Sequence, residues 1–154
     1  MHISLETLIA MYERNNLFLK RHLNAFNHSG NLASAFDGGP NAHWILGHLI
    51  KSRTDFLLEW RAPAVWSAEE CRPFAAGEGP SGPDTPVTWE KLLEVWDRTH
   101  QCFMEALSSF TPERLQEEVR PGKNWTMMLE FFSWHEGYHI GQLALLKRGK
   151  GPVA

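Results

Sequence analysis

The chain has 154 residues, 43% of them hydrophobic and 12% aromatic, with seven tryptophans and a formal net charge of −3. That is enough apolar material for one domain, 1–154, with a core of its own, and it excludes a disordered chain. No Lys/Arg cluster offers a footprint for nucleic acid or for an anionic lipid surface, and no apolar run approaches the roughly 18 residues that span a bilayer.

The opening Met1-His2-Ile3-Ser4 has no basic segment followed by an apolar one. No secretory signal is therefore expected, and the expected location is the cytoplasm. Cys71 and Cys102 lie far apart, outside any metal-type spacing, and read as two reduced thiols. Nothing requires a disulfide between them.

In chain order, Leu5, Leu8, Ile9, Tyr12, Leu19, Leu23 and Phe26 recur at helical steps behind Ser4, a natural N-cap. Residues 27–40 are rich in Ser, Asn and Gly and read as a loop. A second helix is predicted from Asn41 to about Arg61, carrying Trp44, Ile45, Leu49, Ile50, Phe56, Leu57 and Trp60. Residues 62–87 hold five Pro and three Gly, a density that argues for a long loop with no helix.

Thr88 opens a third helix with the seam Trp89, Leu92, Leu93, Trp96, Phe103, Leu107 and Phe110, and Glu90 complements its dipole. Thr111-Pro112-Glu113 opens a short extra helix, and Pro121-Gly122 is a turn. The last helix runs from about Thr126 to Arg148, with Gly149 as its stop. Alternating β-branched segments are absent, so no sheet is expected. The expected fold is all-α, a four-helix bundle with a long loop between helices 2 and 3 and a short extra helix before helix 4.

The last helix interrupts its own core stripe. Between Met128, Phe131 and Phe132 at one end and Leu143 and Leu146 at the other, the stripe reads His135, His139 and Gln142. Buried polar groups are costly unless paired. Two imidazoles four residues apart share a helix face and can reach one metal ion; two hydrogen-bonded core histidines are the plainer alternative.

His135-Glu136-Gly137-Tyr138-His139 also fits the zinc-protease string H-E-x-x-H. Such proteases usually take a third ligand downstream, and no His, Asp, Glu or Cys follows His139 here. The third ligand is expected upstream, and His48 on the second helix is the candidate. Gly47 beside it costs the helix about 1 kcal/mol relative to Ala, which a close approach by a neighbouring helix or a ligand would explain.

Glu136 reads either as a base toward a metal-bound water or, more commonly for such a position, as a solvated or helix-pairing carboxylate. Gln142 is a candidate to hold a ligand histidine. Trp44 and Tyr138 are candidates to wall a pocket, with Trp66 reaching it through the long loop. His100, on the third helix's seam, is either a packed histidine or a fourth ligand or proton shuttle. His2, His22 and His28 have no spacing that points anywhere, and His43 does not share a face with His48.

Asn41-x-x-Trp44-x-x-Gly47-His48 followed by His135-Glu136-x-x-His139-x-Gly141-Gln142 resembles the DinB/YfiT-like superfamily over nearly the whole chain. The resemblance implies an up-down-down-up bundle, one divalent metal (Zn, Ni or Fe) on His48, His135 and His139, and pairing into a homodimer. It implies a metal-dependent enzyme acting on a small molecule. One form is an S-transferase using a low-molecular-weight thiol as cosubstrate; the alternatives are a hydrolase and a non-catalytic stress-response binding protein. Ile140 departs from the Arg that many members carry there, which leaves the triad untouched.

Overall fold

The computed structural model describes residues 3–26 and 31–148. His2, His28 and the predicted stop at Gly149 lie outside them, as does the start of the first loop. The elements are α1 (Leu5–Leu23), α2 (Ala42–Glu59), α3 (Ala68–Cys71), a 3-10 turn (Arg72–Phe74), α4 (Trp89–Ser108), α5 (Pro112–Gln116), β1 (Glu118–Arg120), β2 (Lys123–Asn124) and α6 (Trp125–Arg148).

The helix starts are capped by short polar side chains, which satisfy amides that have no partner within the helix. Ser4, Asn41, Thr88 and Thr111 accept from the backbone N–H groups of Thr7, Trp44, Lys91 and Arg114. Asn124 does the same for α6 by accepting from Met127 at 3.0 Å.

Which residues meet fixes the topology. Along α1 and α6, Tyr12 bonds the Leu129 carbonyl and Asn15 bonds Ser133 and Glu136, so these helices run parallel. Along α2 and α4, His43 meets Trp89, Arg53 meets His100 and Trp60 meets Phe110, again parallel. Between α2 and α6 the order reverses, from His48 with His139 through Arg53 with Glu136 to Trp60 with Trp125. The bundle is therefore up-down-down-up.

Two parallel, consecutive helices need a connection that travels the bundle's length, about 27 Å for the 18 residues of α2. That is the task of the long segment after Trp60. The segment is not bare loop, as its Pro/Gly density predicts. Ser67 and Glu70 form a reciprocal capping box around α3, and the 3-10 turn follows with Pro73 in its first turn. The expectation of no sheet needs a small correction too. The Pro121-Gly122 turn closes a two-stranded antiparallel hairpin, with Gly122 at φ +70°.

A polar belt divides the core in two. One apolar cluster gathers Leu46, Leu49, Phe74, Trp89, Trp96 and Leu143; the other gathers Leu8, Phe56, Trp60, Phe103, Trp125 and Leu129. Between them Arg53 and Glu136, 1% and 3% exposed, form an ion pair with Nε–Oε1 at 2.7 Å and Nη2–Oε2 at 3.1 Å. Asn15 donates to Glu136 Oε2 at 3.1 Å, and Arg53 Nη1 donates to His100 Nδ1. The guanidinium lies 4.4 Å from the Trp96 ring centre and 4.9 Å from that of Phe103.

This corrects the stripe assigned to α6. Phe131 is 54% exposed, whereas Leu129, Ser133, Glu136, Ile140 and Leu143 face inward. Met127, Phe131, Trp134, Tyr138 and Leu145 form the outer, apolar face of that helix. No helix among the described residues is long and apolar enough to cross a membrane.

Candidate metal centre

The antiparallel pairing of α2 with α6 brings His48 to the His135–His139 face, just above the polar belt. The three Nε2 atoms converge: His48 to His135 at 3.3 Å, and His139 to His135 at 3.1 Å. Among the described residues this is the group of three His, Cys, Asp or Glu side chains placed to hold a metal, with one ligand atom from each within 4.8 Å of the others.

The other ring nitrogens say which tautomers are present. His48 Nδ1 lies 2.8 Å from the Phe74 carbonyl, an acceptor only, so it carries the proton and donates. His139 Nδ1 donates to Gln142 Oε1 at 2.7 Å. Both rings, when neutral, therefore aim bare Nε2 lone pairs at each other's neighbourhood. A single proton on His135 Nε2 can satisfy only one of its two contacts. Three crowded acceptors are unfavourable unless a cation lies between them, and ligands held tetrahedrally at 2.0–2.1 Å from a metal stand about 3.3 Å apart. His135 Nδ1, unlike its counterparts on His48 and His139, is buried without a hydrogen-bond partner among the described residues. The donor set fits a divalent transition ion.

Burial holds the rings neutral, the form a metal requires. It pushes His139 down to about 4, with the neighbouring His135 and His48 adding to the effect and the Gln142 bond opposing it. His48 is lowered chiefly by burial, against the Phe74 carbonyl, and His135 by burial and then by His48.

A histidine with a lowered folded pKa adds nothing to stability where both states are neutral, and it opposes folding once the unfolded chain takes up protons. Metal-free protein is therefore expected to lose stability as pH falls from about 6.5 toward about 4, with His139 alone contributing on the order of 3 kcal/mol. Thermal melts across that range check this, and His139→Gln should flatten the decline.

Trp44 stacks on His48 with ring centres 4.7 Å apart and planes 12° apart. Gln142 Nε2 donates to the Tyr138 hydroxyl at 3.0 Å. Trp44, Tyr138, His139 and Gln142 line a cavity of about 340 Å3 together with Gly38, Pro40, Gly77, Gly79 and Pro80. The expected pocket residues are thus together, except two. Trp66 is buried and stacks on Phe74, 5.7 Å away, rather than reaching the cavity. His100 bonds Arg53 and faces Glu13, outside the triad.

Glu136 is the helix-pairing carboxylate of the two alternatives, not the solvated one. It turns into the core, where Arg53 and Asn15 engage both of its oxygens. Neither thiol joins the centre. Burial raises Cys71 to about 11, which keeps it protonated, and Cys102 lines a separate cavity beside Trp60.

Sequence reasoning missed Phe74. Its ring fills the space beside Gly47, where an added Cβ would stand 2.1 Å from Phe74 Cδ1, and its carbonyl orients His48. The close approach anticipated from Gly47 is thus made by the crossover segment. Gly47→Ala is expected to destabilise the protein by about 1–3 kcal/mol through overpacking, and to weaken metal binding by displacing that carbonyl. Paired melts and metal titrations check both effects.

The sequence model of the DinB superfamily matches residues 12–143. Among solved structures, the chain is similar to YfiT from Bacillus subtilis, described as a probable metal-dependent hydrolase with an unusual four-helix bundle topology. The TM-score is 0.71 at 18% identity, covering 98% of this chain and 91% of that one, a likeness that shows the fold. A search of curated proteins finds no match. With the family match running from α1 nearly to the end of α6, and with both halves of the histidine pattern inside it, the chain belongs to the DinB superfamily.

Proposed function

We propose that this protein is a metal-dependent enzyme that hydrolyses a small molecule at a centre formed by His48, His135 and His139. The observation that carries the reading is the convergence of three neutral imidazole Nε2 atoms beside an open cavity. Three protein ligands leave coordination positions free, which is the pattern of a catalytic rather than a closed structural site. A divalent ion held there supplies Lewis acidity toward a substrate carbonyl and toward water. Zn, Ni and Fe all suit imidazole ligands.

The chain's own residues do the rest. The Phe74 carbonyl and Gln142 fix two of the three rings. The Arg53–Glu136 pair locks α2 to α6 near the ligands. The Tyr138 hydroxyl accepts from Gln142, which leaves its own proton free for a substrate oxygen. The description of YfiT as a metal-dependent hydrolase supports the same class of chemistry here.

The experiment is to load chelator-treated protein separately with each metal and to screen ester and amide panels with and without a low-molecular-weight thiol. Metal-dependent hydrolysis without thiol supports the proposal. Turnover only when a thiol is present assigns thiol transfer instead, and a loaded protein with no turnover is a binding protein.

A further inference from the structure

The cavity's walls specify what fits it. None of its lining residues is a Lys, Arg, Asp or Glu. Trp44 and Tyr138 supply ring surface against His139, at 6.2 and 5.1 Å between ring centres. The rest of the lining, apart from Gln142, is Gly38, Pro40, Gly77, Gly79 and Pro80. Gly38, Gly77 and Gly79 have φ of +69°, +92° and +80°, with open space where a Cβ would stand. Glycine is needed there for backbone shape rather than for room.

The two segments that carry these residues, 38–40 and 77–80, are held at their flanks. Asn41 donates to the carbonyls of Leu32 and Ser81, at 3.2 and 2.8 Å. The buried His43 ring bonds the Ser81 hydroxyl through Nδ1 and the Val87 carbonyl through Nε2, both at 2.8 Å. Ser34 donates to the Gly39 carbonyl at 2.7 Å. These bonds tie Leu32, Ser81 and Val87, which flank the two segments, to the start of α2.

A volume of about 340 Å3 is roughly twice that of an engineered cavity that holds benzene, so it takes a ring plus a short reactive group. Away from the metal, a charged group laid on Trp44 and Tyr138 finds no charged side chain among the lining residues. The Tyr138 hydroxyl, which accepts from Gln142, keeps its proton as a neutral donor suited to an uncharged oxygen acceptor.

Resting on the hydrolytic reading above, we infer that the substrate is a small uncharged ester or amide whose flat apolar group packs on Trp44 and Tyr138, and that Tyr138 selects it. Hydrolysis adds one water. Its oxygen bonds to the carbonyl carbon, the acyl–oxygen or acyl–nitrogen bond breaks, one water proton leaves with the alcohol or amine, and the other leaves with the acid. Thiols that carry carboxylates, as peptide thiols do, are poor occupants of the same space.

The test uses zinc-loaded protein of verified metal content and calorimetric titration with three hydroxamic acids: acetohydroxamic acid, phenylacetohydroxamic acid and the para-carboxylate of the latter. The phenyl compound should bind about tenfold more tightly than its carboxylate. Tyr138 is 53% exposed, so Tyr138→Ala keeps the fold. It should weaken the phenyl compound about fivefold or more beyond any loss it causes for acetohydroxamic acid, which lacks the ring. A carboxylate that binds as tightly as the phenyl compound, or a phenyl compound indifferent to Tyr138→Ala, overturns the inference while the metal reading stands. Failure to retain zinc, or to bind acetohydroxamic acid at all, overturns the metal reading and this inference with it.

Discussion

Arg53→Met is expected to destabilise the protein by about 3–5 kcal/mol, because it strands the Glu136 carboxylate in the core. The pair is almost wholly buried, with each partner under 4% exposed. Its worth to the fold is not the sum of its hydrogen bonds, since desolvating two charges offsets much of their attraction. The cost arises when one partner goes and the other stays. For a chain of this size the loss corresponds to a fall in Tm of about 6–20 °C. Glu136→Leu should cost a similar amount by stranding Arg53 among Tyr12, Trp96 and Phe103. The double replacement, Arg53→Met with Glu136→Leu, should lose far less than the two added together, with a coupling of about 2 kcal/mol or more. Denaturant melts of all four proteins measure it. Additive losses would show that the two side chains act separately and that the belt is not a unit.

His48→Ala should leave the fold largely intact and abolish specific metal binding. His135 and His139 would remain, but both lie on one helix, and two imidazoles with water in the other positions hold a metal about a hundredfold or more less tightly than three. Wild-type protein at free metal a thousandfold above its Kd should gain about 4 kcal/mol, and the variant, at the same free metal, about 1.4 kcal/mol or less. Comparing the metal-induced rise in Tm of the two proteins is the readout. An equal rise would place the metal elsewhere. The site's low proton affinity adds a sign to this experiment. With His139 held near 4, protons compete weakly at neutral pH, so metal binding should stay nearly level from pH 8 to 7 and fall as the solution becomes acidic.

Much of this centre is legible in the residue pattern alone. His135, His139 and Gln142 recur at helical steps along one helix, and an interrupted apolar stripe marks them out. His48 is marked by its place on the second helix beside Gly47. The caps at Ser4, Asn41, Thr88 and Thr111 are equally local, and each is where the residue pattern puts it.

What escaped was mostly polar residues doing apolar residues' work. Arg53 lies one turn beyond Leu49 and one turn before Leu57, on a face whose other members are buried, and Glu136 lies one turn from Phe132 and Ile140. Periodicity marks both as inward, but reading charge as exposure hides them. The same bias rotated the inner face of α6 by one residue, because the adjacent Phe131 and Phe132 are equivalent by type until Ser133 and Glu136 are allowed inside.

The helix within the crossover had a local signal, the Ser67-x-x-Glu70 capping box, outweighed by surrounding prolines and glycines. Phe74 had none. Its role depends on where a long connection lies down, which is set by the parallel arrangement of α2 and α4 and not by any spacing in its own segment.

The most direct test of the central claim is elemental analysis of the full chain, stripped with chelator, reloaded and freed of excess metal, with the three-histidine variants alongside. About one equivalent of a divalent transition ion per chain is expected, lost when His48, His135 or His139 is replaced. Less than about a tenth of an equivalent in the wild type, or a full equivalent that survives replacement of His48, would contradict it.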